Sequence, residues 1–137
     1  SFGKTAAVNF EHGQEGLLLA PAYAVSQMLD NAQLKLQDFD FYEIHEAFAG
    51  QVLCTLKAWE DETFCQQKLG RKTALGSIDR NKLNVHGSSL AAGHPFAATG
   101  ARIIAVLAKL LEQKGQGRGL ISVCTAGGMG VTAILER

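Results

Sequence analysis

NVHGSSLAAGHPFAATG, residues 84–100, is the stretch around which the other segments fall into place. It passes from an extended segment through small residues to His94-Pro95, then enters a long apolar run predicted to be a helix over about 97–114. Proline biases the residue before it toward extended backbone, so His94 is expected to stand off the helix. Ala91, Ala92, Gly93, Ala97 and Ala98 have little bulk and let another group come close to the imidazole. The helix behind turns unpaired N–H groups and its positive end toward the same place, which suits an anion or a developing oxyanion. A histidine in a glycine-alanine loop can equally do no more than cap that helix, and spacing alone does not separate the two.

The flanking segments alternate strand and helix patterns. KTAAVNF (4–10) reads as a short strand and EHGQEG as a loop. Pro21 then opens a helix over about 20–33, in which Val25, Met28, Leu29 and Ala32 recur at i, i+3, i+4 and i+7. FDFYEI (39–44) alternates like a strand, and HEAFAGQVLCTLKAW follows with Ala49, Val52, Leu53 and Leu56 at helical spacing. DETFCQQKLG predicts a short helix ending at Gly70, and 71–82 a polar surface excursion anchored by Leu75 and Ile78. In the 97–114 helix the polar residues Arg102, Lys109, Glu112 and Gln113 form one narrow stripe, which predicts burial on most sides. LISVC (120–124), the turn TAGGMG and VTAILE (131–136) close the chain as a strand pair. The order predicts one α/β domain, a layered structure with a mixed sheet.

Three places can carry chemistry besides structure. His45-Glu46 falls at a strand-to-helix junction, the edge of an open α/β sheet where ligands collect. Glu46 has a plainer reading as an acid in the first turn of a helix. Cys124 ends a buried strand before two adjacent glycines, with the amides of Ala126 and Gly127 in reach of it. Such a thiol can serve as nucleophile or as acid/base, although buried cysteine usually behaves as a small hydrophobe. Cys54 and Cys65 lack that context. His86, two residues from the turn at Asn84, is a candidate supporting residue, and His12 is placed in a surface loop.

Composition narrows the field. The chain has 137 residues with 13 basic and 13 acidic side chains, and no basic run offers nucleic acid or an anionic membrane a footprint. It has no apolar stretch of membrane-spanning length. Three cysteines without disulfide-like or metal-like spacing fit a reducing interior compartment, and no metal site is expected. The abrupt start at Ser1 leads us to expect a piece of something longer.

Taken together, the blocks NVHGSSLAAGHPFAATGARI, CTAGGMGVTAILER and HEAFA resemble the C-terminal half of thiolases across essentially the whole chain. The likeness is strongest to long-chain 3-ketoacyl-CoA thiolases, including the trifunctional β-subunit. It implies an acyl-CoA C-acyltransferase, with His94 as the histidine that activates the nucleophilic cysteine and Cys124 as the general acid/base. It implies that Ala126, with Gly127 beside it, supplies backbone donors to one oxyanion hole, where the family has glycine at position 126. His45 stands where familiar thiolases carry an asparagine that holds a water in the other hole, and Glu46 and Asn84 support it. The nucleophilic cysteine and most coenzyme A contacts belong to the N-terminal half of such enzymes, so the isolated chain is expected to be inactive. Coenzyme A thioesters enter as substrates, no covalently bound cofactor is implied, and contacts to coenzyme A from this chain stay unassigned. The resemblance further implies an N-terminal thiolase domain as partner, a homo-oligomer, a hydratase/dehydrogenase subunit in some relatives, and a cytoplasmic location, or a mitochondrial or peroxisomal one in a eukaryote. A non-catalytic module that keeps the fold for binding or assembly is the alternative.

Overall fold

A computed structural model describes residues 5–9, 16 and 18–137. His12 and most of the loop assigned to EHGQEG lie outside the described residues. Four strands form one sheet in the order β1-β4-β3-β2, with β1 at Thr5–Asn9, β2 at Phe41–Ile44, β3 at Arg118–Thr125 and β4 at Met129–Glu136. β3 runs antiparallel to β4 and parallel to β2, so the sheet is mixed. β4 pairs antiparallel with β1. Leu83 adds a one-residue parallel bridge to Tyr42 beyond the β2 edge.

Alternation along β3 sends side chains to two cores. Leu120 joins Tyr42, Ile44 and Ile134 beneath helix α1 (Ala20–Ala32) and helix α2 (Ala49–Glu60), with Val25, Met28, Leu29, Val52, Leu56 and Trp59 filling the space. Ile121, on the other face, packs under Ile103, Leu107 and Leu111 of helix α5 (Thr99–Lys114). The result is the expected α/β/α layering. With both faces covered, β2 shows no alternation of burial: Tyr42, Glu43 and Ile44 are all buried. A short helix α3 (Glu62–Lys68) is capped by the Asp61 side chain, which accepts from Phe64 N at 2.9 Å. Leu75 and Ile78 pack against the first core and anchor the 71–82 excursion.

Three expectations are corrected. The last helix begins at Thr99 and not near 97, because Ala98 N bonds Pro95 O at 3.1 Å and Ala97 has φ +65°. Leu53 is exposed, so the buried stripe of α2 runs through Val52, Thr55, Leu56 and Trp59. Helix α5 is not buried on most sides. It buries Ile103, Leu107, Leu110 and Leu111, while Ala101, Ile104, Ala105 and Ala108 form a second apolar stripe at i, i+3, i+4 and i+7 that stays exposed. A narrow polar stripe left both flanks apolar, and the sheet covers one of them. α4 (Ser89–Ala92) is one short turn between the two parts of the glycine-alanine stretch.

Two glycines mark the closest approaches between layers. A Cβ at Gly130 would stand 2.5 Å from the backbone carbon of Ala20, and one at Gly119 would collide with the tip of Leu107. Gly130→Ala is expected to cost about 2–3 kcal/mol, because helix α1 must move bodily. Gly119→Ala should cost less, because Leu107 can turn aside. Urea midpoints of the two variants check this; equal losses would mean that the backbone of α1 yields as easily as a leucine side chain.

Candidate functional site

Asn84 fastens the glycine-alanine stretch to the end of β2. Its backbone N donates to Tyr42 O at 2.8 Å. Its side-chain Oδ1 accepts from Ile44 N at 2.8 Å, while Nδ2 donates to Ile44 O at 2.9 Å and to Glu46 Oε1 at 2.8 Å. Glu46 completes the clasp by accepting from Leu90 N at 3.1 Å through its other oxygen. Glu46 therefore does not sit in the first turn of a helix, as its plainer reading held; α2 starts three residues later at Ala49. Its carboxylate joins two loops.

The clasp brings two histidines together. His45 is buried and His94 exposed, and their ring centroids lie 4.4 Å apart at 48°. His45 Nδ1 stands 2.7 Å from Ser89 Oγ, and His94 Nδ1 stands 2.6 Å from Thr99 Oγ1 at the start of α5. Each ring is thus steered by a hydroxyl. Burial lowers the His45 pKa, and the neighbouring His94 and Arg102 push it the same way while Glu46 opposes them, so its imidazole is neutral. Phe96 flanks His94 with ring centroids 5.2 Å apart and is almost fully exposed, as are much of Phe48 and Leu90. Phe48 follows His45 by three residues, and Leu90 is the residue whose N–H Glu46 holds.

Cys124 lies next to the end of β3, which runs parallel to β2, so it shares the sheet edge with His45. It is buried, and that raises the thiol pKa, while its own N–H and that of Ala47 work in the opposite direction. The resting group is a thiol facing the 45–47 turn. No hydrogen bond joins Cys124 to either histidine among the described residues; the three segments meet around that turn. Ala126 and Gly127 form the exposed turn after β3, and among the described residues no backbone carbonyl outside the strand ladder takes up their N–H groups. His86 is exposed and makes no hydrogen bond among the described residues, so it does not support Asn84 as expected.

The sequence reading missed Ser89, Thr99, Arg102 and Glu43. Arg102 Nη2 donates to Ser89 Oγ at 3.1 Å, behind His45. Glu43 is fully buried on the same side, and its carboxylate oxygens have no hydrogen-bond partner among the described residues. Arg102 had a signal, being the one charge in the first half of an otherwise apolar helix. Glu43 had the signal of an acid in step with Phe39 and Phe41 in the expected strand. Ser89 and Thr99 had none.

Residues 4–137 match the family described as "Thiolase, C-terminal domain". The chain belongs to the thiolase family, as this C-terminal domain. Among curated relatives, a 3-ketoacyl-CoA thiolase of Shewanella woodyi is 48% identical over 122 residues, covering 89% of this chain and 28% of the relative. A 3-ketoacyl-CoA thiolase of Yersinia pestis strain Pestoides F matches at the same 48% and the same coverage. The crystal structure of the Bacillus anthracis acetyl-CoA acetyltransferase is similar with TM-score 0.75 and 32% identity, over 96% of this chain and 29% of that one. The peroxisomal 3-ketoacyl-CoA thiolase of Saccharomyces cerevisiae is similar with TM-score 0.73 and 36% identity, over 97% of this chain and 32% of that one. That enzyme is described as a five-layered α-β-α-β-α structure built from two core domains of identical topology. The chain thus spans under a third of the length of these relatives.

Burial pushes the Glu43 carboxyl up to about 7 from 4.5, with Arg102 opposing and Glu46 adding to the rise. Between these values the folded chain holds a proton that the unfolded chain has released. Stability therefore falls as pH rises from 4.5 to about 7 and levels off above. Glu43→Gln removes this dependence, and the variant should gain up to about 3 kcal/mol relative to wild type above pH 7 and little near pH 4.5. Denaturant melts of both proteins across that range check it; a constant difference at all pH values would contradict a titrating Glu43.

Proposed function

We propose that this chain is the acid/base half of an acyl-CoA C-acyltransferase, which cleaves a 3-ketoacyl-CoA by thiolysis to acetyl-CoA and a shortened acyl-CoA or runs the reverse condensation. It works with an N-terminal domain that carries the nucleophilic cysteine. The observation that carries the reading is the meeting of Cys124, His45 and His94 around one short turn at the sheet edge, in a chain of the thiolase family.

In thiolysis His94 takes the proton of the companion cysteine, whose thiolate adds to the 3-keto carbon. The bond between C2 and C3 breaks, the acyl group stays on that sulfur, and C2 leaves with the electron pair as the enolate of acetyl-CoA. Cys124 donates its proton to C2; the raised thiol pKa keeps that proton in place until it is needed. Free coenzyme A then gives its own proton to the Cys124 thiolate and attacks the acyl-enzyme, which releases the companion cysteine and balances the protons. His45, directly or through one water, and the N–H groups of Ala126 and Gly127 stabilise the oxyanions. Fatty-acid β-oxidation in the cytoplasm, as a homo-oligomer with a hydratase/dehydrogenase subunit, is the setting that fits this chemistry.

The role split has a direct test in the full-length protein. Cys124→Ala should still take up an acyl group on the companion cysteine, seen by intact mass, but lose exchange of thioester α-protons with deuterium by at least about 100-fold. His94→Ala should instead lose acylation by a similar factor. A Cys124→Ala protein that acylates poorly yet exchanges α-protons normally would reverse the two assignments.

The exposed stripe of α5 is the proposed seat of the companion domain. Two α/β/α domains that make five layers rather than six share one helical layer, and α5 offers that layer small side chains at Ala101, Ala105 and Ala108. Ala105→Glu should lower the melting temperature of the full-length protein by at least about 5 °C, because a charge is buried at the contact. The same change in the isolated chain should have almost no effect. A fall of equal size in both would place Ala105 in the domain's own core.

A further inference from the structure

The hydroxyl of Ser89 lies between a guanidinium and an imidazole. Arg102 Nη2 donates to Ser89 Oγ at 3.1 Å, and the same oxygen stands 2.7 Å from His45 Nδ1. Guanidinium cannot accept a hydrogen bond, and a serine hydroxyl has one proton to give. If Nδ1 carried a proton and donated it to Ser89, two donors would converge on one oxygen. The serine's own proton would then have no acceptor in a residue only 7% exposed. The other arrangement satisfies both the hydroxyl and the imidazole nitrogen facing it: Arg102 donates to Ser89, and Ser89 donates to His45. We infer that Ser89 and Arg102 are positioning residues that fix His45 with Nδ1 as acceptor and its proton on Nε2.

The surroundings agree with this assignment. Among the described residues His45 Nε2 makes no hydrogen bond, yet it is not one of the buried polar atoms that lack a partner, so it is the open side of a ring that is otherwise 1% exposed. Burial, with His94 and Arg102 pushing the same way, keeps the imidazole from taking a second proton. His94 is held differently. Its hydroxyl partner Thr99 has a second acceptor, Pro95 O at 3.4 Å, so Thr99 can donate there and receive a proton from His94 Nδ1. Of the two neighbouring rings, His45 is the one committed to donating from Nε2. That proton's use, on a thioester oxygen directly or through a water, rests on the acyl-transfer reading; the tautomer itself does not.

The test reads the tautomer and activity separately, in the full-length protein. Two-bond proton–nitrogen correlation spectra of 15N-histidine-labelled protein near pH 7.5, about one unit above the ordinary histidine pKa, with His45 assigned by its loss in His45→Asn, should show a pyridine-like Nδ1 and a pyrrole-like Nε2. Ser89→Ala should replace this pattern with averaged signals and lower kcat by about 10- to 100-fold with a smaller change in KM. Ser89→Thr, which keeps the hydroxyl, should restore both. Arg102→Leu should also release the tautomer; if it fails to fold beside the buried Glu43, the Ser89 pair decides. A pyrrole-like Nδ1 in the wild-type protein, or an unchanged pattern in Ser89→Ala, would overturn the inference. The expected pattern in a protein without acyl-transfer activity would uphold it and count against the proposed reaction instead.

Discussion

The amide side chain of Asn84 holds the site together. An asparagine offers one oxygen acceptor and two N–H donors, and here the oxygen and the nitrogen grip both backbone groups of Ile44 while the nitrogen also reaches Glu46. In effect it is a strand one residue long, laid against the exposed edge of β2. The grip continues through Glu46 to the N–H of Leu90, so the two loops are joined at both ends of the carboxylate. Asn84 itself has φ +48°, a conformation asparagine tolerates better than most residues. Without this clasp, nothing of comparable geometry would bring Ser89 to His45 or the His94 turn over the end of β2.

The interior keeps polar side chains that a stability argument alone would remove. Glu43, Ser88, Gln51 and Ser122 are all buried, and each has a side-chain polar atom with no hydrogen-bond partner among the described residues. Unmet groups of this kind cost on the order of 1–3 kcal/mol each. Glu43 faces α5 in step with Ile121, and Ser122 the opposite side of the sheet in step with Ile44, while the interior under α1 is filled by Met28, Leu29, Phe39 and Trp59. In a low-dielectric interior each charge and dipole counts for more than it would in water.

The sheet, its order of elements and the two main helices were legible because their periodicities are clean. Pro21 with Val25, Met28 and Leu29 marked α1, and the glycine-rich turn between β3 and β4 marked a hairpin. The glycine-histidine-proline and C-terminal cysteine blocks pointed to the site because few other arrangements put such small residues beside a histidine and a cysteine. What stayed hidden depends on contacts distant in sequence. Ser89 acquires meaning only when the Asn84 clasp lays it 2.7 Å from His45, forty-four residues away. Glu43 passed unremarked within the strand, although it falls in step with Phe39 and Phe41, and only α5 crossing above it makes it buried. The apolar richness of α5 pointed to burial all round, whereas one domain provides a cover for just one of its two stripes.

Ala97 gives the His94 turn an unusual mechanical character. Its φ of +65° is a conformation that an L-residue enters at a cost of about 1–2 kcal/mol and that glycine enters freely. Alanine there is less comfortable than glycine but samples fewer alternatives, so the turn between Pro95 and Thr99 behaves as a stiff bracket and not as a hinge. Proline on one side and the first turn of α5 on the other hold both ends of that bracket. A displacement of α5, whose free stripe faces outward, would therefore be carried to the His94 ring with little lost in the turn. Whatever seats itself on that helix acquires leverage over the imidazole without touching it.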